Sequence, residues 1–218
     1  MRLTVRSILS AAIMAGLFVG QSALAADQLV NDFGDGLQSW RFDFGTPITP
    51  NIVQDPTEGS PDNAQGAMRL DMTFNSSFGG NNRYAFTGDL FFPETDLSGF
   101  DEVLFDLKIG DGAALDAFGN HGFFEFVSRE TDNFDFNSVL GENLVPPTGE
   151  WRTFSVPTDT MTATRAFTVQ LYGGPGQNID GPITLFIDNI RLTMAIPEPA
   201  TAMLLGLPAI GMIARRRR

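Results

Sequence analysis

From Met68 to Phe74 apolar and polar residues alternate one for one, with Met68, Leu70, Met72 and Phe74 on one parity and Arg69, Asp71 and Thr73 on the other. A period of two marks a strand with one buried face, because successive side chains point to opposite sides of a sheet. The period returns where Val103, Phe105, Leu107 and Ile109 alternate with Leu104, Asp106 and Lys108, and where Phe167, Val169 and Leu171 alternate with Thr168, Gln170 and Tyr172. Strands are also expected over residues 29–33, 40–44, 83–87, 123–128, 151–157 and 183–193, the 40–44 strand placing Trp40, Phe42 and Phe44 on one face. Gly34-Asp35-Gly36 and Asp96-Leu97-Ser98-Gly99-Phe100 supply turns, and the Pro, Asn, Asp, Thr and Gly content of 45–66 predicts a long surface loop. No stretch has the period of an amphipathic helix. Eight or nine short strands of this kind form an all-β, antiparallel jelly-roll β-sandwich, two sheets each burying one face against the other.

The chain has 20 Phe and no Cys, so the sandwich must be held by core burial and not by disulfides. The middle, 26–195, is long enough for one such domain and has no internal repeat.

The termini carry different signals. Arg2 and Arg6 precede an apolar run over 8–19, and Ala23-Leu24-Ala25 is a small-x-small site, which together read as a signal peptide, 1–25, cleaved after Ala25. At the other end Pro197-Glu198-Pro199 precedes an apolar run over 200–214 and then Arg215, Arg216, Arg217 and Arg218. The prolines separate that run from what precedes it. As a helix it would be roughly 22 Å long against a hydrocarbon core of roughly 30 Å. The arginines would stay on the cytoplasmic side and leave the body of the chain outside.

Of 14 basic and 26 acidic residues, these terminal segments hold Arg2, Arg6, Glu198 and the four final arginines, which leaves 8 basic and 25 acidic between them, a net charge of −17. Such a surface repels nucleic acid and anionic membrane and suits divalent cations or neutral sugars.

The Pro-Glu-Pro motif, the short transmembrane helix and the basic tail, in that order over 196–218, resemble the PEP-CTERM sorting signal of Gram-negative bacteria. The resemblance implies that exosortase, a membrane peptidase, cuts near Pro197-Glu198-Pro199 and passes an inner-membrane-anchored intermediate on to the cell surface or the extracellular space. Exopolysaccharide is the partner it suggests, in a matrix or envelope setting. An ordinary C-terminal membrane anchor is the alternative.

A second resemblance spans most of 29–193. Asp32-Phe33-Gly34-Asp35-Gly36 with Trp40, Asp96-Leu97-Ser98-Gly99-Phe100, Gly149-Glu150-Trp151 and Leu185-Phe186-Ile187-Asp188-Asn189-Ile190 are similar to the galactose-binding-like jelly rolls of many carbohydrate-binding modules. Several such modules have a glutamate where this chain has Gly34. The resemblance implies a structural calcium ion bound through Asp32 and Asp188, with Asp35 as a further ligand. The residues add a reason of their own. Phe186, Asp188, Ile190 and Leu192 share one parity, so if that set faces the core Asp188 is drawn inside and needs a partner. Calcium, which takes six to eight oxygen ligands, is one answer. A sheet-edge carboxylate bonded to a turn or to Arg191 is the other.

Catalytic signals are weak. His121 is the single histidine, in a glycine-flanked turn, and no G-x-S-x-G elbow places a serine. Zinc chemistry lacks its ligands. Glu130-Thr131-Asp132-Asn133-Phe134-Asp135 resembles the E-x-D-x-x-E run of one sandwich-fold glycanase family but ends in Asp, and it reads equally as a solvated acidic turn. Sugar binding asks for aromatic platforms rimmed by polar groups. Trp40 and Trp151 sit in strand patterns and read as core. Arg83, Tyr84 and Tyr172, beside Gly/Asn-rich loops, are the glycan-binding candidates, and the same loops also read as plain turns. The reading is a non-catalytic, glycan-binding surface protein, with a secreted glycan-active enzyme and a purely structural surface protein as alternatives.

Overall fold

The computed structural model describes residues 27–46, 48–61, 66–130, 136–145, 147–174 and 178–194. The signal-peptide and sorting-signal expectations therefore lie outside the described residues. Among the described residues no helix is long and apolar enough to cross a membrane. The 27–194 body is one compact unit.

Eleven strands build it: β1 (Gln28–Asn31), β2 (Trp40–Thr46), β3 (Asn51–Asp55), β4 (Ala67–Phe74), β5 (Arg83–Asp89), β6 (Glu102–Ile109), β7 (Phe123–Arg129), β8 (Phe136–Asn143), β9 (Trp151–Pro157), β10 (Ala166–Tyr172) and β11 (Gly181–Thr193). One sheet runs β3-β4-β11-β6-β9, with β1 also pairing β11, and the other runs β2-β5-β10-β7-β8. All pairings between strands are antiparallel. The all-β, two-sheet architecture is the expected one.

Alternation decides the core. Leu70 and Met72 from β4, Phe105 and Leu107 from β6, and Val169 and Leu171 from β10 fill the space between the sheets, and the polar residues that alternate with them lie on the other face, where Asp106, Thr168 and Gln170 are also covered. Phe105 is the centre, its ring stacked on Phe126 (4.9 Å, 14°) and on Phe154 (5.3 Å, 10°), with Phe124 at 5.9 Å. Such pairs add about 0.5–1.5 kcal/mol each beyond area burial. The space between the sheets bounded by Leu70, Met72, Phe86, Phe124 and Leu185 is too small for a water molecule. That space is therefore packed and not a ligand cavity. On β5 a Cβ at Gly88 would come within 2.5 Å of the Trp40 ring, so only glycine lets that indole lie flat across the strand.

Two strands depart from the expectation. The 45–66 stretch is not all loop: 51–55 forms β3, an edge strand bonded to β4 alone, so it needs only two apolar residues, Ile52 and Val53. β8 also lacked a signal, because a register shift opposite Phe126 and Val127 inserts a residue and breaks its alternation.

A bulge in β11 corrects the parity argument about Asp188. Leu185 and Ile187 face the core, β11 then bulges at Asn189 (φ 52°), and Ile190 and Leu192 face the core beyond it. Asp188 thus lies on the outer side of the sheet with Phe186. It is nevertheless fully buried, because the segment after β3 crosses over it and the Ser60 N–H donates to its carboxylate at 2.7 Å.

Candidate functional site

The polar residues gathered on the outer face of the five-stranded sheet, at the end where β5 and β7 begin and β8 and β10 finish, form the candidate site. Register sets its geometry. Arg83, Tyr172, Phe123 and Asn143 stand directly opposite one another across β5, β10, β7 and β8, and the row behind holds Phe44, Ala85, Gln170, Glu125 and Gly141. At about 4.8 Å between strands the front row is about 14 Å long. Phe44 reaches this face because β2 bulges between Phe42 and Phe44, which turns it away from the core that Trp40 and Phe42 pack against. The expectation that Trp40, Phe42 and Phe44 share a face is corrected by that bulge.

Arg83 lies between two rings, its guanidinium 5.1 Å from the Phe44 centroid and 5.9 Å from that of Tyr172. It makes no ion pair with another described residue. Cation–π contacts hold a guanidinium without neutralising it. The Tyr172 hydroxyl donates to Gln170 Oε1 at 2.8 Å. Burial, then the adjacent Glu125 carboxylate, raise its pKa, and Arg83 pulls the other way. The Phe123 ring packs 6.4 Å from Tyr172 and leans over Gly141, where a Cβ would come within 2.9 Å of Phe123 Cζ. Behind the strip the bulge residue Asp43 accepts from Arg129 Nη1 at 2.9 Å and Thr87 Oγ1 at 3.1 Å, and Thr87 meets Thr168 at 2.8 Å. This satisfied network closes the back of the site, and the half-buried Phe44, Arg83, Phe123, Glu125 and Tyr172 form its open part. Half-exposed rings, a cation, a carboxylate and amides in one shallow row are what a polyhydroxylated chain needs, since its apolar C–H faces stack and its hydroxyls both donate and accept.

The structure brings Arg83 and Tyr172 together and excludes Tyr84. Neighbours on a strand face opposite ways, and Tyr84 points into the core, edge-on to Phe74 at 5.0 Å, its hydroxyl donating to the Thr73 carbonyl at 2.5 Å. Its proposal as a platform is corrected on that ground. Sequence reasoning missed Phe44, Phe123, Glu125 and Gln170 as site residues.

The other candidates lie elsewhere. Trp40 is core, whereas Trp151 is half-buried on the opposite sheet with Lys108 Nζ 5.3 Å from its ring; Lys108 also sits 4.6 Å from Phe186 and pairs with Glu58. His121 is buried and its Nδ1 donates to the Ala114 carbonyl at 2.8 Å. Glu130 follows the end of β7, and Asp132 and Asp135 lie outside the described residues. Among the described residues no three His, Cys, Asp or Glu side chains are grouped to hold a metal. Asp32 accepts from Gly34 N and Gln38 Nε2, Asp35 is exposed, and Asp188 accepts from Ser60 N and Asn189 N. The Asp32 and Asp188 carboxylates thus accept from the backbone and side chains around them.

Solved structures similar to this chain share its antiparallel β-sandwich, and carbohydrate-binding modules are among them. Over 78% of its length the chain matches a carbohydrate-binding module of the β-sandwich superfamily (TM-score 0.54, 17% identity), of which it spans 63%. It matches a module specific for non-crystalline cellulose (TM-score 0.55, 12% identity, 78% of this chain and 96% of that one). The K1 cleaved adhesin domain of Lys-gingipain from Porphyromonas gingivalis W83 is similar as well (TM-score 0.50, 16% identity, 78% and 99%). At these identities the likeness is one of fold. No family model and no curated protein matches the chain.

Proposed function

We propose that this chain is an exported, non-catalytic module that binds a glycan across the Arg83–Tyr172–Phe123–Asn143 strip, the segment 1–25 being removed on export and the 196–218 segment serving as an exosortase sorting signal. The observation that carries the binding reading is the arginine held between Phe44 and Tyr172 on an open sheet face. A non-catalytic role is supported by the carboxylate count. On the strip itself Glu125 is the one carboxylate among the described residues, and Asp43 behind it is tied to Arg129, whereas glycoside hydrolysis uses two carboxylates across a cleft.

Calorimetric titration with soluble polysaccharides tests the binding. Tyr172→Ala is expected to weaken the bound glycan by about 30-fold or more, as for a central aromatic contact, whereas Ser155→Ala on the opposite sheet leaves affinity unchanged. Silence of the wild-type chain across neutral and acidic polysaccharides would sink the reading. Export is tested separately by the mass of the protein recovered from envelope and medium of its host. A product beginning at Ala26 and ending near Pro197-Glu198-Pro199 is expected, and retention of Arg215, Arg216, Arg217 and Arg218 in the mature form would make the tail a permanent anchor instead.

A further inference from the structure

We propose that Glu125 makes the strip selective for uncharged glycans and turns away sugars that carry carboxylate or sulfate groups; this rests on the glycan-binding reading above.

Arg83 alone would predict the opposite. A guanidinium held between two rings, without a carboxylate partner among the described residues, presents its donor fork to a ligand and suits a planar anion. The structure sets a countercharge beside it. Arg83 and Glu125 come from β5 and β7, on either side of β10, and both act on the Tyr172 hydroxyl, which feels the two charges with opposite sign. Glu125 stands directly across from Gln170, whose Oε1 accepts the hydrogen bond of the Tyr172 hydroxyl, so its carboxylate borders the same patch that Arg83 borders from the far side.

An anionic group placed to meet Arg83 therefore also meets Glu125, and the attraction is cancelled where it would be felt. A hydroxyl has no such conflict. It can accept from Arg83 and donate to Glu125, which gives a sugar ring both kinds of partner on one strip. The long-range field acts in the same direction, because the region between the terminal segments has 8 basic and 25 acidic residues. That field slows the approach of any polyanion, more so at low salt.

The test uses matched oligosaccharide pairs that differ only at C6, β-1,4-mannan against mannuronan and cello-oligosaccharides against their oxidised glucuronate forms. Each is titrated into the full chain and into its Glu125→Gln and Arg83→Met/Glu125→Gln variants at two ionic strengths. The wild type is expected to bind a neutral member at least about 10-fold more tightly than its uronate. Glu125→Gln should raise uronate affinity by about 10-fold, a gain that shrinks with salt and disappears in the double variant. Thermal unfolding of each variant shows that it is folded. Equal or better binding of the uronate by the wild type, or a folded Glu125→Gln variant with an unchanged neutral-to-uronate ratio, overturns the inference and leaves glycan binding standing. Failure of the wild type to bind any of the four overturns the inference together with the reading on which it rests.

Discussion

Phe105→Ala is expected to lower the melting temperature by roughly 10 °C, from a loss of about 3–5 kcal/mol. The residue is fully buried on β6, between β11 and β9 in the larger sheet, and its ring meets Phe126 and Phe124 of the facing sheet and Phe154 of its own. Truncation removes the transfer free energy of a ring and leaves a cavity walled by rings of two strands, β7 and β9. β6 itself is fixed by ladder hydrogen bonds on both sides, so the site collapses only in part. Phe105→Leu keeps most of the volume and should cost about 1–2 kcal/mol. Urea unfolding of both variants checks the pair. A loss below about 1 kcal/mol for alanine would mean that the ring cluster does not hold the two sheets together.

How much of this was legible beforehand depends on how local each signal is. β4, β6 and β10 announce themselves because each buries one clean parity between two neighbours. β3 does not, because an edge strand needs fewer apolar positions and sits in loop-like composition. The bulges at Asp43, in β8 opposite Phe126, and at Asn189 each reverse parity partway along a strand. Nothing in a two-residue period reveals where a residue is inserted, which is why the period puts Phe44 on one face with Trp40 and Phe42 and leaves Asp188 inside only if its parity faces the core. The strip itself is a product of register. Phe44, Arg83, Phe123, Glu125 and Tyr172 come from four strands far apart in the chain and become neighbours only through sheet order. One correction was nevertheless within reach. Arg83 and Tyr84 are adjacent on an expected strand, so the period of two already forbade both from facing one ligand.

Asn82→Ala is expected to cost about 2–4 kcal/mol and to weaken glycan binding with it. Asn82 is completely buried. Its side-chain amide donates to the carbonyls of Gly173 (3.1 Å) and Ile179 (3.2 Å), and its oxygen accepts from Asn75 N–H (2.9 Å). The backbone joins in, with Gly173 N–H donating to the Asn82 carbonyl at 2.7 Å. One side chain therefore fastens the 3-10 turn Ser76–Asn81 to the segment that follows β10. Alanine would take the side-chain partner from the Asn75 N–H and the Ile179 carbonyl, while the Gly173 carbonyl keeps the Ile179 N–H at 2.9 Å. Asn82→Asp keeps the shape but turns its donor end into an anion facing two carbonyl oxygens, so it should cost more than alanine. Each anchored segment ends at a strip residue, since Arg83 follows Asn82 and Tyr172 precedes Gly173. Loosening the junction frees both partners of the Arg83–Tyr172 contact without touching either ring. Folded Asn82→Ala protein should accordingly lose affinity below its own melting temperature, whereas Phe105→Leu, equally far from unfolding, should keep it. If both variants retain full affinity in calorimetric titration, the strip does not depend on this anchor, and the Phe44 and Tyr172 rings alone hold Arg83 in place.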